Sequence, residues 1–121
     1  MTNSQDQIQE GSSVFFEGRA WFDKSGGNTY HSVRIWINGE IVAIVPMTYG
    51  YENMYQCSAI SKLVELGYLP EFLQDRPTRE YPVWQIDRWA KISTYSVLSY
   101  GKKSELWRAE QATKLTAGKV A

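Results

Sequence analysis

The stretch TYHSVRIWINGEIVAIVPM, Thr29 to Met47, holds two largely apolar runs joined by Asn38-Gly39. Asn-Gly between β-branched runs is the strongest short signal for a hairpin, because both central positions of a type I′ turn require positive φ. The sequence therefore predicts one strand over 29–37 and another over 41–47. In the first of these, alternation places Tyr30, Arg34 and Trp36 on the face opposite His31.

A third strand precedes this hairpin. VFFEGRAWFD, Val14 to Asp23, alternates between apolar and polar residues, with Gly18 predicted to mark a bulge, and the KSGGN turn follows it. The strand over 41–47 is apolar on both faces, so we expect it in the middle of the sheet or covered by a helix. Pro46 is expected near a bulge or at the strand end.

A helix is predicted over 54–66. Asn53 and Gln56 have the spacing of a capping box, and apolar residues follow at helical intervals until Gly67 and Pro70. Because a three-stranded meander cannot bury one face alone, the apolar stripe of this helix should lie across it. The predicted fold class is α+β: an antiparallel meander of three or more strands packed against one main helix, with a Trp-rich C-terminal extension.

The chain of 121 residues is long enough for one domain. We expect a flexible N-terminus over 1–12 and a single domain over 13–121, made of a ββ-β-α module (13–70) and the C-terminal extension (71–121). Within the extension, the sequence predicts a helix over 83–92, an extended segment over 93–101 and a return segment whose conformation stays open. The extension either completes the sheet or forms an oligomer interface.

The amino-acid composition argues against several classes of function. Thirteen basic residues balance thirteen acidic ones, which argues against a dedicated nucleic-acid binder and against an acidic mimic of nucleic acid. A single cysteine, Cys57, rules out an intrachain disulfide, and a single histidine, His31, rules out a multi-histidine metal centre. With no signal peptide and no apolar run of membrane-spanning length, we expect a cytoplasmic protein without a membrane partner, a cofactor or a metal.

No catalytic motif is present in the sequence, so we expect a non-enzymatic protein. His31 and Cys57 would form a nucleophile–base dyad only if the second strand lay beside the helix N-terminus. The alternative is that His31 is a hydrogen-bonded structural histidine and Cys57 a small core residue.

Aromatic residues are concentrated around the second strand and the loop TYGYENMY. Tyrosine and tryptophan anchor interfaces and stack on bases, and a helix start offers free N–H groups to a phosphate. The loop therefore binds a protein or a nucleotide-like ligand, or else its tyrosines seal the edge between helix and sheet. The candidate binding residues are Tyr30, His31, Arg34, Trp36, Tyr49, Tyr51, Asn53 and Tyr55.

Charge divides unevenly along the chain, since residues 1–70 carry four basic and seven acidic side chains and residues 71–121 carry nine and six. Either the halves complement each other, or the basic half contacts phosphates of a nucleic acid, an alternative that the overall neutrality does not favour. Its candidate contacts are Arg76, Arg79, Arg88, Lys91, Lys102, Lys103 and Arg108.

The tryptophans Trp21 and Trp36 should lie on the polar face of the sheet. Two large aromatic side chains on one face need a cover. The C-terminal segment, a helix or a second chain would each supply it, and the last of these makes a homo-oligomer an expected partner.

The segments NTYHSVRIWINGE and VPMTYGYENMY, with Ala59 and Leu63 beyond them, resemble small uncharacterised proteins of phages and mobile elements. The resemblance covers roughly Trp21 to Pro70; where those proteins tend to have Gly-Asp after Y-G-Y, this chain has Glu52-Asn53. It implies a phage origin. For a small, neutral, aromatic-rich protein of that origin without a catalytic motif, we expect by analogy an accessory protein in the host cytoplasm that inhibits a defence system, such as CRISPR–Cas or nucleotide-signalling immunity. It would do so by binding a defence protein or a nucleotide signal; the alternative is a virion or assembly component.

Overall fold

The computed structural model describes residues 7–74 and 82–108. Along the chain the elements are β1 (Val14–Asp23), β2 (Asn28–Ile37), β3 (Glu40–Tyr49), α1 (Met54–Glu65), α2 (Glu71–Gln74), α3 (Val83–Ala90) and β4 (Tyr95–Tyr100), followed by a 3₁₀ turn at Lys103–Glu105. No helix within the described ranges has the length and apolar character needed to cross a bilayer.

The four strands form one mixed sheet in the order β3-β2-β1-β4. Strands β1, β2 and β3 are antiparallel neighbours, as the predicted meander requires, and β4 pairs with β1 in parallel. In chain order the described helices lie between β3 and β4, which are the two edge strands of the sheet. The α+β class is thus confirmed, and the C-terminal extension completes the sheet.

The helix α1 packs on one face of the sheet, here called the helix face, and encloses the core against it. At the centre of this core lie Phe16 of β1, Ile35 of β2 and Leu63 of α1, none of them measurably exposed. The opposite face, here called the distal face, carries the alternate residues of each strand. This two-layer arrangement explains why β1 and β2 alternate while α1 carries a single apolar stripe.

Strand β3 lies at the edge of the sheet and not in the middle, so of the two expected positions the one covered by a helix is confirmed. Its two apolar faces pack differently. Ala43 and Val45 join the core beneath α1, whereas Ile44, also buried, pairs with Arg34 and lies on the distal face. The prediction for Pro46 is confirmed, because the register between β2 and β3 shifts between His31 and Val33, at the place where Pro46 lies.

Gly18 does not mark a bulge, because the β1–β2 register runs through it without a shift. The glycine is needed for packing instead. A Cβ at this position would lie 2.7 Å from Cδ2 of Tyr55 and 3.0 Å from Cδ1 of Leu98, so the missing side chain makes room for the Tyr55 ring.

The helix α1 begins after Asn53, as predicted, but the capping box does not form. No side-chain hydrogen bond caps the helix. Gln56 is buried, and its amide nitrogen donates to Ser96 Oγ of β4 at 2.9 Å, which takes the side chain away from the helix start.

The end of α3 and the start of the ordered chain both differ from the prediction. The helix α3 ends at Ala90, two residues before the predicted end, and Lys91 follows in the left-handed conformation. Ile8 lies within the terminal stretch expected to be flexible, yet it is buried in the core and its N–H donates to the Tyr68 carbonyl at 3.0 Å. A large apolar side chain seven positions into the chain thus extends the ordered part before Ser13.

Candidate functional site

The distal face is partly covered by Trp107, which lies over the middle of β1 and β2. Its backbone N–H donates to Ser32 Oγ at 2.9 Å, and the ring is only 5% exposed. The guanidinium carbons of Arg19 and Arg34 lie 4.3 and 4.4 Å from its ring centroid, in cation–π contact. Of the covers considered for this face, the C-terminal segment is therefore the one that the structure provides.

Glu17 ties the neighbouring predicted site residues together. Its Oε1 accepts hydrogen bonds from Arg34 Nε at 2.9 Å, from Arg34 Nη2 at 2.8 Å and from the indole Nε1 of Trp36 at 3.1 Å. These side chains stand on adjacent strands, since Glu17 pairs with Arg34 in the β1–β2 register. Arg34 and Trp36 thus serve an internal network around Trp107.

Three aromatic side chains cross the distal face beyond Trp107, at the end of the sheet beside Gly50. Trp21 and Tyr30 are stacked with ring centroids 5.7 Å apart, and Tyr30 and Tyr49 meet edge to face at 5.9 Å. The row follows from strand register, because Trp21 pairs with Tyr30 and Tyr30 pairs with Tyr49. Lys103 Nζ lies 5.4 Å from the Trp21 ring centroid. We call Trp21, Tyr30 and Tyr49 the aromatic row.

The segment from Met47 to Met54, here called the 47–54 segment, carries four exposed large apolar side chains. Met47, Tyr49, Tyr51 and Met54 are each between 40% and 52% exposed. Tyr55, the next residue, is only 5% exposed and packs in the core. The structure therefore places Tyr30, Tyr49 and Tyr51 at this end of the molecule, whereas Tyr55 seals the interface between helix and sheet.

His31 is buried beneath the same end of the sheet, on the helix face. Its Nδ1 lies 3.0 Å from the Gly50 carbonyl oxygen and its Nε2 lies 2.8 Å from Ser58 Oγ. Because a carbonyl can only accept, Nδ1 carries the proton. Burial lowers the pKa of His31, so the ring is neutral near pH 7 and Nε2 accepts the Ser58 hydroxyl proton.

The histidine is thus paired with Ser58 and not with the neighbouring Cys57, so the conditional His31–Cys57 dyad does not form. Burial raises the pKa of the Cys57 thiol, which disfavours the thiolate that such a dyad needs. Sequence reasoning missed Ser58. Its position directly after Cys57 was the available signal. Successive residues of an α-helix point about 100° apart around the helix axis, so the residue next to Cys57 can face His31 in its place.

A groove of about 700 Å³ runs between β3 and α1 beside this pair. Apolar and polar side chains from both elements form its walls. Its lining residues are Val45, Pro46, Thr48, Met54, Cys57, Ser58, Ser61, Lys62 and Glu65.

The buried neutral histidine makes stability depend on pH. The folded-state pKa of His31 is below its unfolded value, so protonation favours the unfolded chain. We expect the free energy of unfolding to be constant above about pH 7 and to fall by up to about 1.4 kcal/mol per pH unit below the ordinary histidine pKa. Urea denaturation between pH 8 and pH 5 measures this. His31 is the only histidine in the chain, so His31→Gln should flatten the profile; an equally steep profile in that variant would contradict the assignment.

The described basic residues of the C-terminal half lie on two elements. Lys102 precedes the 3₁₀ turn and Lys103 is its first residue, Arg88 lies in α3 and Lys91 follows its end, and Arg108 is exposed. Arg76 and Arg79 lie outside the described residues. Over the part of the chain that the structure describes, His, Cys, Asp and Glu side chains form no group suited to a metal ion.

Comparison with known proteins gives no match. No protein-family model matches the chain, and neither curated proteins nor solved structures are significantly similar to it.

Proposed function

We propose that the protein is a phage-type accessory protein that inhibits a host defence system by stoichiometric binding, in the host cytoplasm. Its docking surface consists of the aromatic row and the 47–54 segment, and its partner is a protein of the defence system. Inhibition by occupancy needs no catalytic step. The resemblance to small phage proteins motivates the choice of partner, and the exposed apolar surface motivates the mode of action.

The four exposed side chains of the 47–54 segment support the proposal most directly. Protein interfaces are enriched in tyrosine, tryptophan and methionine, and contiguous exposed apolar surface often marks an interaction site. Tyr49 belongs to both parts of the surface and is held at one edge by Tyr30. A tyrosine that is already oriented loses little side-chain entropy on binding, which suits it as an anchor.

A nucleotide-like ligand is the second candidate partner, supported by Lys103. Its ammonium group lies beside the Trp21 ring at one end of the aromatic row, where it would meet a phosphate while the row stacks on a base. Native mass spectrometry of the protein purified from its expression host separates the two candidates. A retained nucleotide-sized mass that disappears in Lys103→Ala favours the nucleotide, and a bare chain favours the protein partner.

The Tyr49→Ala substitution tests the docking surface. We expect it to weaken partner capture from a bacterial host extract by about 30-fold or more, because truncating an anchor tyrosine costs roughly 2 kcal/mol or more of binding energy. Tyr100→Ala is the matched control, since Tyr100 is also more than half exposed but lies on β4, at the opposite edge of the sheet. Capture should be quantified at equal protein concentration for the wild type and both variants.

Stability measurements separate this result from misfolding. Tyr49 is half exposed, so its truncation should change the free energy of unfolding by about 1 kcal/mol or less. Equal capture by the Tyr49→Ala variant and the wild type would contradict the proposed surface. A large loss of stability in Tyr49→Ala would instead support the view that these tyrosines seal the edge of the fold.

A further inference from the structure

The hydrogen bonds around His31 have the polarity of a general base. The Gly50 carbonyl accepts the Nδ1 proton at 3.0 Å, which fixes the ring orientation and leaves the Nε2 lone pair directed at Ser58 Oγ, 2.8 Å away. A nucleophile, a base and a group that orients the base, each within hydrogen-bond reach of the next, is the arrangement that activates serine in acyl transfer. Here a backbone carbonyl takes the place of the usual carboxylate.

Ser58 also lies where a substrate can reach it. It is partly buried and lines the groove between β3 and α1, whereas His31 lies behind it with only 1% of its surface exposed. The base thus lies behind a serine that lines the groove. The docking surface proposed above does not use this pair.

We propose that Ser58 is a nucleophile, that His31 is its general base, and that the groove binds a short apolar acyl ester. Val45, Pro46 and Met54 supply the apolar walls for the acyl chain. This activity goes beyond the binding function: the groove shares Thr48 and Met54 with the 47–54 segment, but Ser58 and His31 lie outside the docking surface.

The proposed reaction is ester hydrolysis in two halves, acylation of Ser58 followed by deacylation. Ser58 Oγ bonds to the ester carbonyl carbon and its proton passes to His31 Nε2; the carbon–oxygen bond to the alcohol then breaks, and the leaving oxygen takes that proton. In the second half, water attacks the acyl carbon and gives its proton to Nε2, and Ser58 Oγ leaves with it. The ester and one water become an acid and an alcohol.

Turnover is expected to be slow. A neutral carbonyl stabilises the imidazolium less than a carboxylate does, and the low pKa of His31 limits its strength as a base. An activated ester has a good leaving group, so acylation depends less on the base than attack by water does, and the acyl group should remain on the serine long enough to be observed by intact-mass measurement.

The experiment uses p-nitrophenyl acetate as the probe with the full chain at pH 8. We expect release of p-nitrophenolate accompanied by the gain of one acetyl group per chain, which peptide mapping places on Ser58. Ser58→Ala should remove this acetylation. His31→Gln should slow it by about 100-fold or more, the usual contribution of a general base. Ser99→Ala, an exposed serine on β4 at the far edge of the sheet, is the control that should acetylate like the wild type.

Peptide mapping of the acetylated wild-type protein tests the proposal even if a variant fails to fold. Acetylation on Cys57 or on lysines with Ser58 unmodified would overturn the proposal, as would an unchanged acetylation rate in a folded His31→Gln variant. Thermal denaturation of each variant identifies the folded ones. Neither result depends on partner capture, so this proposal and the proposed binding function fail or succeed separately.

Discussion

Trp107→Ala is expected to lower the free energy of unfolding by about 3–5 kcal/mol, the usual cost of truncating a large buried aromatic side chain. The side chain is 5% exposed, and its loss would leave a cavity over Ser32 on the distal face. It would also remove the ring against which Arg19 and Arg34 pack. The stability of the sheet thus depends on a residue that comes after its last strand.

Urea denaturation followed by far-UV circular dichroism measures this loss. Trp84→Ala is the matched control, because Trp84 is 54% exposed on α3 and its truncation should cost about 1 kcal/mol or less. Equal losses in the two variants would contradict the role of Trp107 as the cover of the distal face.

Gly50→Ala is expected to cost about 3 kcal/mol for two reasons that act together. The backbone there has φ of 153°, a conformation that residues with a side chain rarely adopt. A Cβ would also lie 2.8 Å from Cε1 of His31 and 2.9 Å from Cβ of Met54. Neither neighbour can yield, because His31 is held by two hydrogen bonds and Met54 Cβ is fixed to the first turn of α1.

The control for this prediction is Gly27→Ala. Gly27 also has positive φ, at 70°, but no atom lies within 4 Å of the position that a Cβ would take. Its substitution therefore carries the backbone cost alone, about 1 kcal/mol. Chemical denaturation of both variants should show the larger loss at Gly50. Indistinguishable losses would mean that the contact with His31 and Met54 has no energetic consequence.

Local sequence patterns were enough to predict the first half of the fold. The hairpin at Asn38-Gly39, the strand over 14–23 and the helix after Asn53 all follow from turn chemistry and apolar periodicity, which depend on neighbouring residues. The strand order does not follow from such patterns. Strand β3 is apolar on both faces although it lies at the edge, because α1 covers one face and the distal-face network adjoins the other.

Only part of the candidate site could be predicted, because it too depends on contacts between strands that local sequence patterns do not determine. The aromatic residues Tyr30 and Tyr49 could be singled out by type and position, but their contact depends on a β2–β3 register that contains two shifts. Arg34 and Trp36 look available in the sequence, and only the fold reveals that Glu17 binds both. Contacts between residues far apart in sequence decide which candidate side chains remain free.

The proposed docking surface would also explain an otherwise unfavourable feature of the molecule. The 47–54 segment exposes apolar side chains next to a sheet edge, where exposed apolar surface promotes aggregation. A fold that only needed to be stable would gain from polar residues at these positions. Occupation by a partner removes this cost, in agreement with a protein that acts by binding.

Site-specific photo-crosslinking in the host cell tests the proposed surface most directly. A photoreactive phenylalanine analogue at position 49 should crosslink the chain to one discrete protein partner upon illumination, whereas the same analogue at position 100 should give no such product. Mass spectrometry of the crosslinked band then identifies the partner. If position 49 yields no discrete product, or if position 100 yields the same one, the aromatic row and the 47–54 segment are not the docking surface.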